Sequence, residues 1–394
     1  MAYQLTPADI SDMNKPPTVS QGGVEARKLA ISCINRIDES EGYANIVLSN
    51  ALKKANADQR DRNLVTEIVY GATRMQRALD WVVDRYLMKS PPPALRASLR
   101  VGTYQLLYTR IPPHAAVSTT VEASSKKNKG VVNAVLRKVA EELPVEWPNE
   151  GVRLSYPDWI INLVEAEYGD AEGQAMLEQM NKSPLVNERD DGYMQDLSSQ
   201  WVVQNIDIQA KDLILDMCAA PGGKATAMAS KEALVVAVDL HQSRSRLIAQ
   251  NIERLNTRQI LQVTADGTQP CFAQRAFDKV LVDAPCSGIG VLHRRADARW
   301  RINQADVDNL AVLQLELLCA AKDLVKSGGE LIYSVCTVTR AETSEVVSRF
   351  TERTHGISAI PLDDPRWRKN GDGGLLLPQD HGTDGMYMFK WKIQ

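Results

Sequence analysis

The chain has 394 residues, of which 44% are apolar and 24% charged, and its net charge is −3 at pH 7. These values are those of a soluble globular protein of two or three domains, and they exclude a globally basic polyanion binder, so any nucleic-acid site must be a local patch. No apolar run approaches a membrane span, and the N-terminus lacks the charged start and apolar core of a signal peptide, so the expectation is a cytoplasmic protein without a membrane contact.

Residues 1 to 23 are polar and carry Pro16, Pro17, Gly22 and Gly23, which reads as a flexible leader. From 24 to 142 the pattern is helical throughout. "VEARKLAISCINRI", "NIVLSNALKKA", "RNLVTEIVYGATRMQRALDWVVDRYL", "ALRASLRVGTYQLLYT" and "VVNAVLRKVAEE" each repeat apolar residues at steps of three and four. Breaks such as "KSPPP" and "RIPPHAAVS" separate them. An all-α bundle follows. His114, in the second break, reads as a structural loop residue rather than a catalyst.

Pro144, Pro148, Asn149 and Gly151 mark a boundary. Between 143 and 200 the chain reads as a helical linker. "PDWIINLVEAEYGDAEGQAMLEQMN" gives two short helices, and "KSPLVNERDDGYMQD" follows as a polar interval. Tyr156 and Trp159 in this region read as packing residues. From about 201 to 394 strands and helices alternate. "DLILDM", "LVVAVDL", "ILQVTA", "FDKVLVDA" and "GELIYSV" read as buried strands, which predicts a parallel sheet covered by helices on both faces.

The chemistry-bearing residues sit where these strands end. After the first strand and Asp216, the loop Cys218, Ala219, Ala220, Pro221, Gly222, Gly223, Lys224 brings small residues that let a ligand approach the backbone. It is neither a dinucleotide GxGxxG nor a GxxxxGK[ST] phosphate cradle. Asp239 ends the second strand and can accept both hydroxyls of a ribose. Asp266 ends the third and can accept from an adenine amino group. Any one such aspartate is usually a helix cap. Three of them, gathered on the carboxyl edge of a parallel sheet, favour an adenosine-type cofactor, and S-adenosylmethionine fits better than a nucleoside triphosphate.

The fourth strand delivers Asp283 and Cys286, the fifth Cys336. Beside a methyl donor a thiolate has a specific use. It can add to carbon 6 of a cytosine, making carbon 5 nucleophilic enough to take a methyl group. An acid at ring nitrogen 3 assists the addition, and a base must later remove the carbon 5 proton so that the thiol leaves. On residue chemistry alone Cys286 and Cys336 are equal candidates for the nucleophile. The remaining cysteines carry no such context. Cys33 and Cys319 lie in helical apolar patterns and read as core, and Cys271 lies in a loop. No CxxC pair or zinc spacing occurs, so neither a structural metal nor a native disulfide is expected.

"DMCAAPGGK", "VLVDAPCSGIGVLHR" and "YSVCTVT" closely resemble the RNA 5-methylcytosine methyltransferases of the Nol1/Nop2/Sun family. "RNLVTEIVYG", "LRVGTYQLLYTRIPPHAAV" and "VVNAVLRKV" resemble the NusB-like RNA-binding domain at the N-terminus of one bacterial branch, which acts on 16S ribosomal RNA. The resemblance implies an all-α N-terminal bundle followed by an α/β Rossmann-like class I methyltransferase domain, working as a monomer on a single-stranded or flipped cytosine. It implies Cys336 as nucleophile, Cys286 as the group that assists product release, and Asp283 as the residue that protonates or hydrogen-bonds the cytosine. It places Lys224 near the catalytic pocket, residues 218 to 224 and Asp283 along the cofactor, Asp239 on the ribose and Asp266 on the adenine.

Two departures stand out. The family's "TCSxxPEEN" is here "VCTVTRAET", with Arg340 for the proline, Ala341 for the first glutamate, and Glu342 retained. The family's small α+β substrate subdomain has only the interval between Asn181 and Trp201 to occupy, which is too short to hold it. Arg294, Arg295, Arg299, Trp300 and Arg301, following Cys286, offer phosphate contacts and an aromatic platform. Lys126, Lys127, Lys129, Arg137 and Lys138 form a second basic cluster that reads equally as a solvated face. Other classes stay open: the same chemistry on another RNA such as tRNA, methylation of an amino group, or a non-catalytic RNA-binding or ribosome-assembly protein. Amino-group enzymes typically carry Asn/Asp-Pro-Pro-Tyr where this chain has "DAPC".

Overall fold

The computed structural model describes residues 21–40 and 42–394. Most of the expected leader, residues 1–20, lies outside the described residues. The chain divides into two compact units. One comprises residues up to 161 together with 293–301, the other residues 162–292 and 302–394.

The first unit is helical. Its helices run Gln21–Ser40, Ala44–Lys54, Gln59–Arg74, Gln76–Asp84, Pro93–Tyr108, Pro113–Ala123 and Lys129–Glu141, with a short Glu150–Leu154 turn. Local chemistry sets the ends. Asp58 accepts from the Asp61 amide at the start of its helix, and prolines open the helices at 93 and 113 where a missing amide costs nothing. His114 therefore lies on a helix and not in a loop. Small residues bring the helices close. A Cβ at Gly71 would stand 1.9 Å from the Tyr104 ring, and one at Gly102 2.3 Å from Leu136. Cys33, Ile34, Ile68, Val69 and Val101 form part of one core; Val82, Leu99, Val132 and Leu136 belong to a second. Cys33 is buried as its pattern implies.

The second unit is α/β. After the helix Asp170–Gln179 and the helix Leu197–Gln204 come strands β1 (Leu213–Asp216), β2 (Leu234–Asp239), β3 (Ile260–Thr264), β4 (Phe277–Asp283) and β5 (Val325–Val335). They pair in parallel in the order β3-β2-β1-β4-β5. β1, β2, β4 and the end of β5 are buried along most of their length, because helices cover both faces. The five strands are those that the sequence implies. Four C-terminal strands, β6 (Ile357–Ala359), β7 (Arg368–Asn370), β8 (Gly373–Leu376) and β9 (Met386–Ile393), extend the sheet: β9 runs antiparallel to β5, β8 and β7 follow it in order, and β6 pairs with β9. The Rossmann-like expectation holds. The strand order reverses at β1, and the crevice outside its carboxyl end is where such sheets bind ligands.

The short interval before the sheet closes on itself. The Gln195 amide donates to the Asn187 carbonyl, the Arg189 amide to the Tyr193 carbonyl, and the Gly192 amide to the Arg189 carbonyl. Gly192 has φ +80°, a conformation glycine adopts at little cost. A hairpin turn thus occupies the place where an inserted subdomain would begin and end. Its Arg189 donates to the Gly223 carbonyl at 2.6 Å, and the Arg189 and Arg254 guanidiniums lie 4.9 Å and 5.2 Å from the centre of its Tyr193 ring.

Candidate active site

Parallel pairing brings the two cysteine loops together. Asp283 and Ser334 are register partners on β4 and β5, so Cys286, three residues beyond one, and Cys336, two beyond the other, emerge at the same edge. Their sulfurs are 3.3 Å apart. The Cys286 thiol is pushed well above its ordinary range by its hydrogen bond with Cys336 first, then by burial, the charge of Cys336 and the charge of Glu342; the Gly288 amide works the other way.

Lys224, from the loop after β1, reaches the same point. Its ammonium lies 2.7 Å from Asp283 Oδ2, and Ser334 Oγ donates to Asp283 Oδ1 at 2.5 Å. Burial works against the ammonium, but the charge and hydrogen bond of Asp283, followed by Cys336 and Asp216, outweigh it, and its pKa is raised. Asp283 is therefore held between a cation and a hydroxyl. Such charge-assisted bonds fix a side chain's direction better than neutral ones.

Asp216, Asp239 and Asp266 follow β1, β2 and β3 as expected, but their surroundings differ. Asp216 is fully buried, and neither oxygen has a hydrogen-bond partner of good geometry, although the Cys218 amide lies close enough to favour the charged form. Burial, and then the charge of Asp283, push its pKa up to about 8. Asp239 is also buried; its Oδ1 accepts from the His241 amide and its Oδ2 from Arg244 Nε at 3.2 Å. Asp266 is exposed, and its carboxylate holds the Thr268 amide and hydroxyl. Cys218 is pushed up by burial and then by Asp216, which keeps it a thiol. Ala219, Ala220, Gly222, Gly223 and Lys224 are buried around this edge, while Pro221 is exposed.

These residues fit S-adenosylmethionine. The ligand's ammonium and sulfonium charges suit an orphaned buried carboxyl such as Asp216, and Asp239 retains lone pairs for ribose hydroxyls. Among the described residues no group of three or more His, Cys, Asp or Glu side chains could hold a metal.

The basic cluster after Cys286 is corrected by the structure. Arg299 is fully buried in the helical unit, 3.8 Å above the Tyr156 ring, and donates to the Arg74 and Ser155 carbonyls and the Tyr156 hydroxyl. Burial lowers its pKa to about 10. The Trp300 indole donates to the Thr73 carbonyl at 2.7 Å. Arg301 pairs with Asp297 and covers the Tyr43 ring. These three are structural: backbone carbonyls take donors of Arg299 and Trp300, and Asp297 takes one of Arg301; Arg295 remains exposed. Tyr156 is packing, as expected. In the second cluster Lys126, Lys127, Arg137 and Lys138 are exposed, whereas Lys129 pairs with Glu122. A cavity of about 520 Å³ in the helical unit is lined by Asp38, Arg96, Arg100, Asp297 and Arg301, but it lies in the other unit from the thiols, and its arginines are already paired with aspartates. Cys319, assigned to the core from its helical pattern, is exposed, and so is Cys271.

Two groups escaped sequence reasoning. Ser334 carries no motif of its own; its role follows from the β4–β5 register, which one sequence does not reveal. Glu342 is conspicuous only as the retained glutamate of the altered motif. Arg340, beside it, holds Glu167 through its amide at 2.9 Å and the Glu167 carbonyl through its guanidinium at 2.8 Å, so the loop that lost its proline is fastened by a side chain instead.

Two families of known proteins match the chain. Residues 203–392 match the model described as 16S rRNA methyltransferase RsmB/F, and residues 24–141 match the NusB family. A probable ribosomal RNA small subunit methyltransferase B of Synechocystis is 33% identical, covering 94% of this chain and 99% of its own length. The ribosomal RNA small subunit methyltransferase B of Serratia proteamaculans is 31% identical, over 92% of this chain and 97% of its own. The crystal structure of PH0851 superposes with a TM-score of 0.78 at 21% identity, covering 96% of this chain and all of that one, a likeness of fold.

Proposed function

This chain belongs to the RsmB/F family of 16S rRNA methyltransferases, which depend on S-adenosylmethionine, and on that premise we propose that it methylates carbon 5 of a cytosine in 16S ribosomal RNA through a covalent cysteine adduct. The observation that carries the reading is the pair of thiols 3.3 Å apart, with the Lys224–Asp283 ion pair beside them. An amino-group methyltransferase has no use for two apposed thiols.

S-adenosylmethionine supplies an electrophilic methyl group on a positively charged sulfur. Asp216, Asp239, Asp266 and the 218–224 loop are the residues that would hold it. The protein's own groups do the rest. Cys336 Sγ, as thiolate, bonds to carbon 6, and the ring's electron pair moves toward carbon 5. Asp283, aligned by Lys224 and Ser334, holds the pyrimidine edge that includes nitrogen 3, and Lys224 offers the nearby proton. In the release step Cys286 Sγ takes the carbon 5 proton, the carbon–hydrogen pair re-forms the ring double bond, and the carbon 6–sulfur bond breaks with its electrons returning to Cys336. The Cys286 thiol becomes available as this base once Cys336 is spent on carbon 6: the hydrogen bond and charge of Cys336 that raise its pKa are then gone, and it gives its own proton to water before taking the one from carbon 5.

The test is mapping of 5-methylcytosine in 16S ribosomal RNA by mass spectrometry, with and without the gene. Loss of one 5-methylcytosine that purified protein restores on deproteinised RNA is the expected result. An unchanged map, or methylation at an exocyclic amine, overturns the reading.

A further inference from the structure

Glu342 is fully buried in the 3-10 turn Arg340–Glu342 that follows the Cys336 loop. Its Oε1 accepts from the Ser287 amide at 2.7 Å and from Gln314 Nε2 at 3.1 Å. Its Oε2 accepts from the hydroxyls of Ser287 at 2.5 Å, Thr337 at 3.0 Å and Thr339 at 3.0 Å. Ser287 adjoins Cys286, and Thr337 adjoins Cys336. One carboxylate therefore fastens both thiol loops. Gln314 strengthens the joint, since it also donates to the Pro285 carbonyl at 3.0 Å, and the Ser287 and Thr337 hydroxyls meet each other at 2.9 Å.

All five donors are neutral, so the negative charge of Glu342 is stabilised but not cancelled. A buried carboxylate that takes five neutral donors from the two thiol loops and the helix behind them points to a use beyond packing. The charged groups around the thiol pair are unevenly placed. The Lys224 ammonium acts on Cys336, and the Glu342 carboxylate acts on Cys286. The Tyr333 hydroxyl, near Cys286, lies within hydrogen-bond distance of Gln314 Oε1 and the Glu342 carbonyl. Two otherwise alike sulfurs thus sit in a field running from cation to anion.

We propose that Glu342 is a positioning residue for methyl transfer: it sets the separation of the two thiol loops and biases the proton they share toward Cys286, leaving Cys336 as the free nucleophile. The proposal rests on the division of labour between the thiols given above. It also makes Cys286 the stronger base in the release step, because a thiolate beside a carboxylate holds a proton more tightly.

The test uses the full chain. In a Cys336→Ser background, the pH dependence of Cys286 carbamidomethylation by iodoacetamide is followed by peptide mass spectrometry. Glu342→Gln keeps the side chain's reach and removes the charge, and should move the Cys286 profile down by about one pH unit. Glu342→Asp keeps the charge and shortens the reach; the profile should stay, while in the chain that retains Cys336 the same substitution should lower kcat about tenfold with the RNA KM within about twofold. Coincident profiles for the parent and Glu342→Gln overturn the electrostatic role, and an unchanged kcat in Glu342→Asp overturns the positioning role. If Glu342→Gln shows no cooperative melt, Thr339→Val decides: it strips one donor and touches neither thiol. A tenfold loss of kcat at unchanged RNA KM supports the proposal, and a kcat within twofold of the parent overturns it. The alkylation profile needs no methylation, so failure of the cytosine assignment, read from the unsubstituted chain, stays distinguishable.

Discussion

Ser334 donates to Asp283 across the β4–β5 register at 2.5 Å, and Lys224 holds the other oxygen of the same carboxylate. On the proposed mechanism the hydroxyl would aim Asp283 at the cytosine. Ser334→Ala removes one hydrogen bond to a charged group, about 1.5–3 kcal/mol of alignment. Single-turnover methyl transfer should slow by about tenfold or more. Wild-type rates in that variant would show that Lys224 alone orients the carboxylate.

The two cysteines should fail differently. Cys336→Ala should abolish methyl transfer and leave no covalent RNA adduct. Cys286→Ala should form the adduct and transfer the methyl group but stall at release, so a protein–RNA species should persist on denaturing gels. The opposite pattern would exchange the roles, and methyl transfer undiminished in both variants would remove the covalent mechanism altogether.

Asp239→Ala should weaken S-adenosylmethionine binding by about 1.5–3 kcal/mol, roughly ten- to a hundredfold, because two ribose hydroxyls lose a charged acceptor. Titration calorimetry reads this directly. Asp266, exposed and already engaged by Thr268, should matter less.

Asp216 predicts a pH signature. Its folded pKa of about 8 lies above the ordinary value near 3.9. Below about pH 4 both states carry the proton, and its contribution is fully present. Between about 4 and 8 the unfolded chain releases the proton and the folded chain keeps it, so stability is lost as pH rises. Asp216→Asn should remove this slope. The melting temperature of the ligand-free variant relative to the parent should climb from pH 4 to pH 8, and a constant difference would show that Asp216 ionises normally.

Arg299→Leu should lower the melting temperature and leave RNA affinity within about twofold. The buried guanidinium bonds two carbonyls and a hydroxyl, so about 3 kcal/mol or more is at stake. Arg295→Ala, at an exposed position, should leave the melt unchanged and reduce the salt slope of RNA binding by about one charge. Equal effects of the two on RNA affinity would return the whole cluster to the nucleic-acid surface.

The strands that carry the thiols are legible because parallel buried strands are written as unbroken apolar runs, "VLVDAP" and "LIYSVC" alike. Their ends are legible because small residues and cysteines interrupt the runs. Arg299 was misread for the opposite reason: a basic, aromatic stretch looks the same whether its donors face solvent or carbonyls distant in sequence. Cys319 misled because an apolar period marks a helix's inner face only approximately. Glu342 and Ser334 owe their importance to partners 55 and 51 positions away, a relationship absent from any local pattern. The strands β6 to β9 leave little trace in the sequence because the first three have only three or four residues each.

The bonds from Arg299 to Arg74 and Ser155 bridge 225 and 144 positions, and they lie within one compact unit. Synthesis runs from the N-terminus. The helices up to 161 emerge early, but the guanidinium that satisfies their interior carbonyls is made only after β1 to β4. The helical unit therefore waits, incompletely sealed, for roughly half of the sheet to leave the ribosome, and such long-range closure slows folding. An isolated fragment ending at 161 inherits the same gap for good.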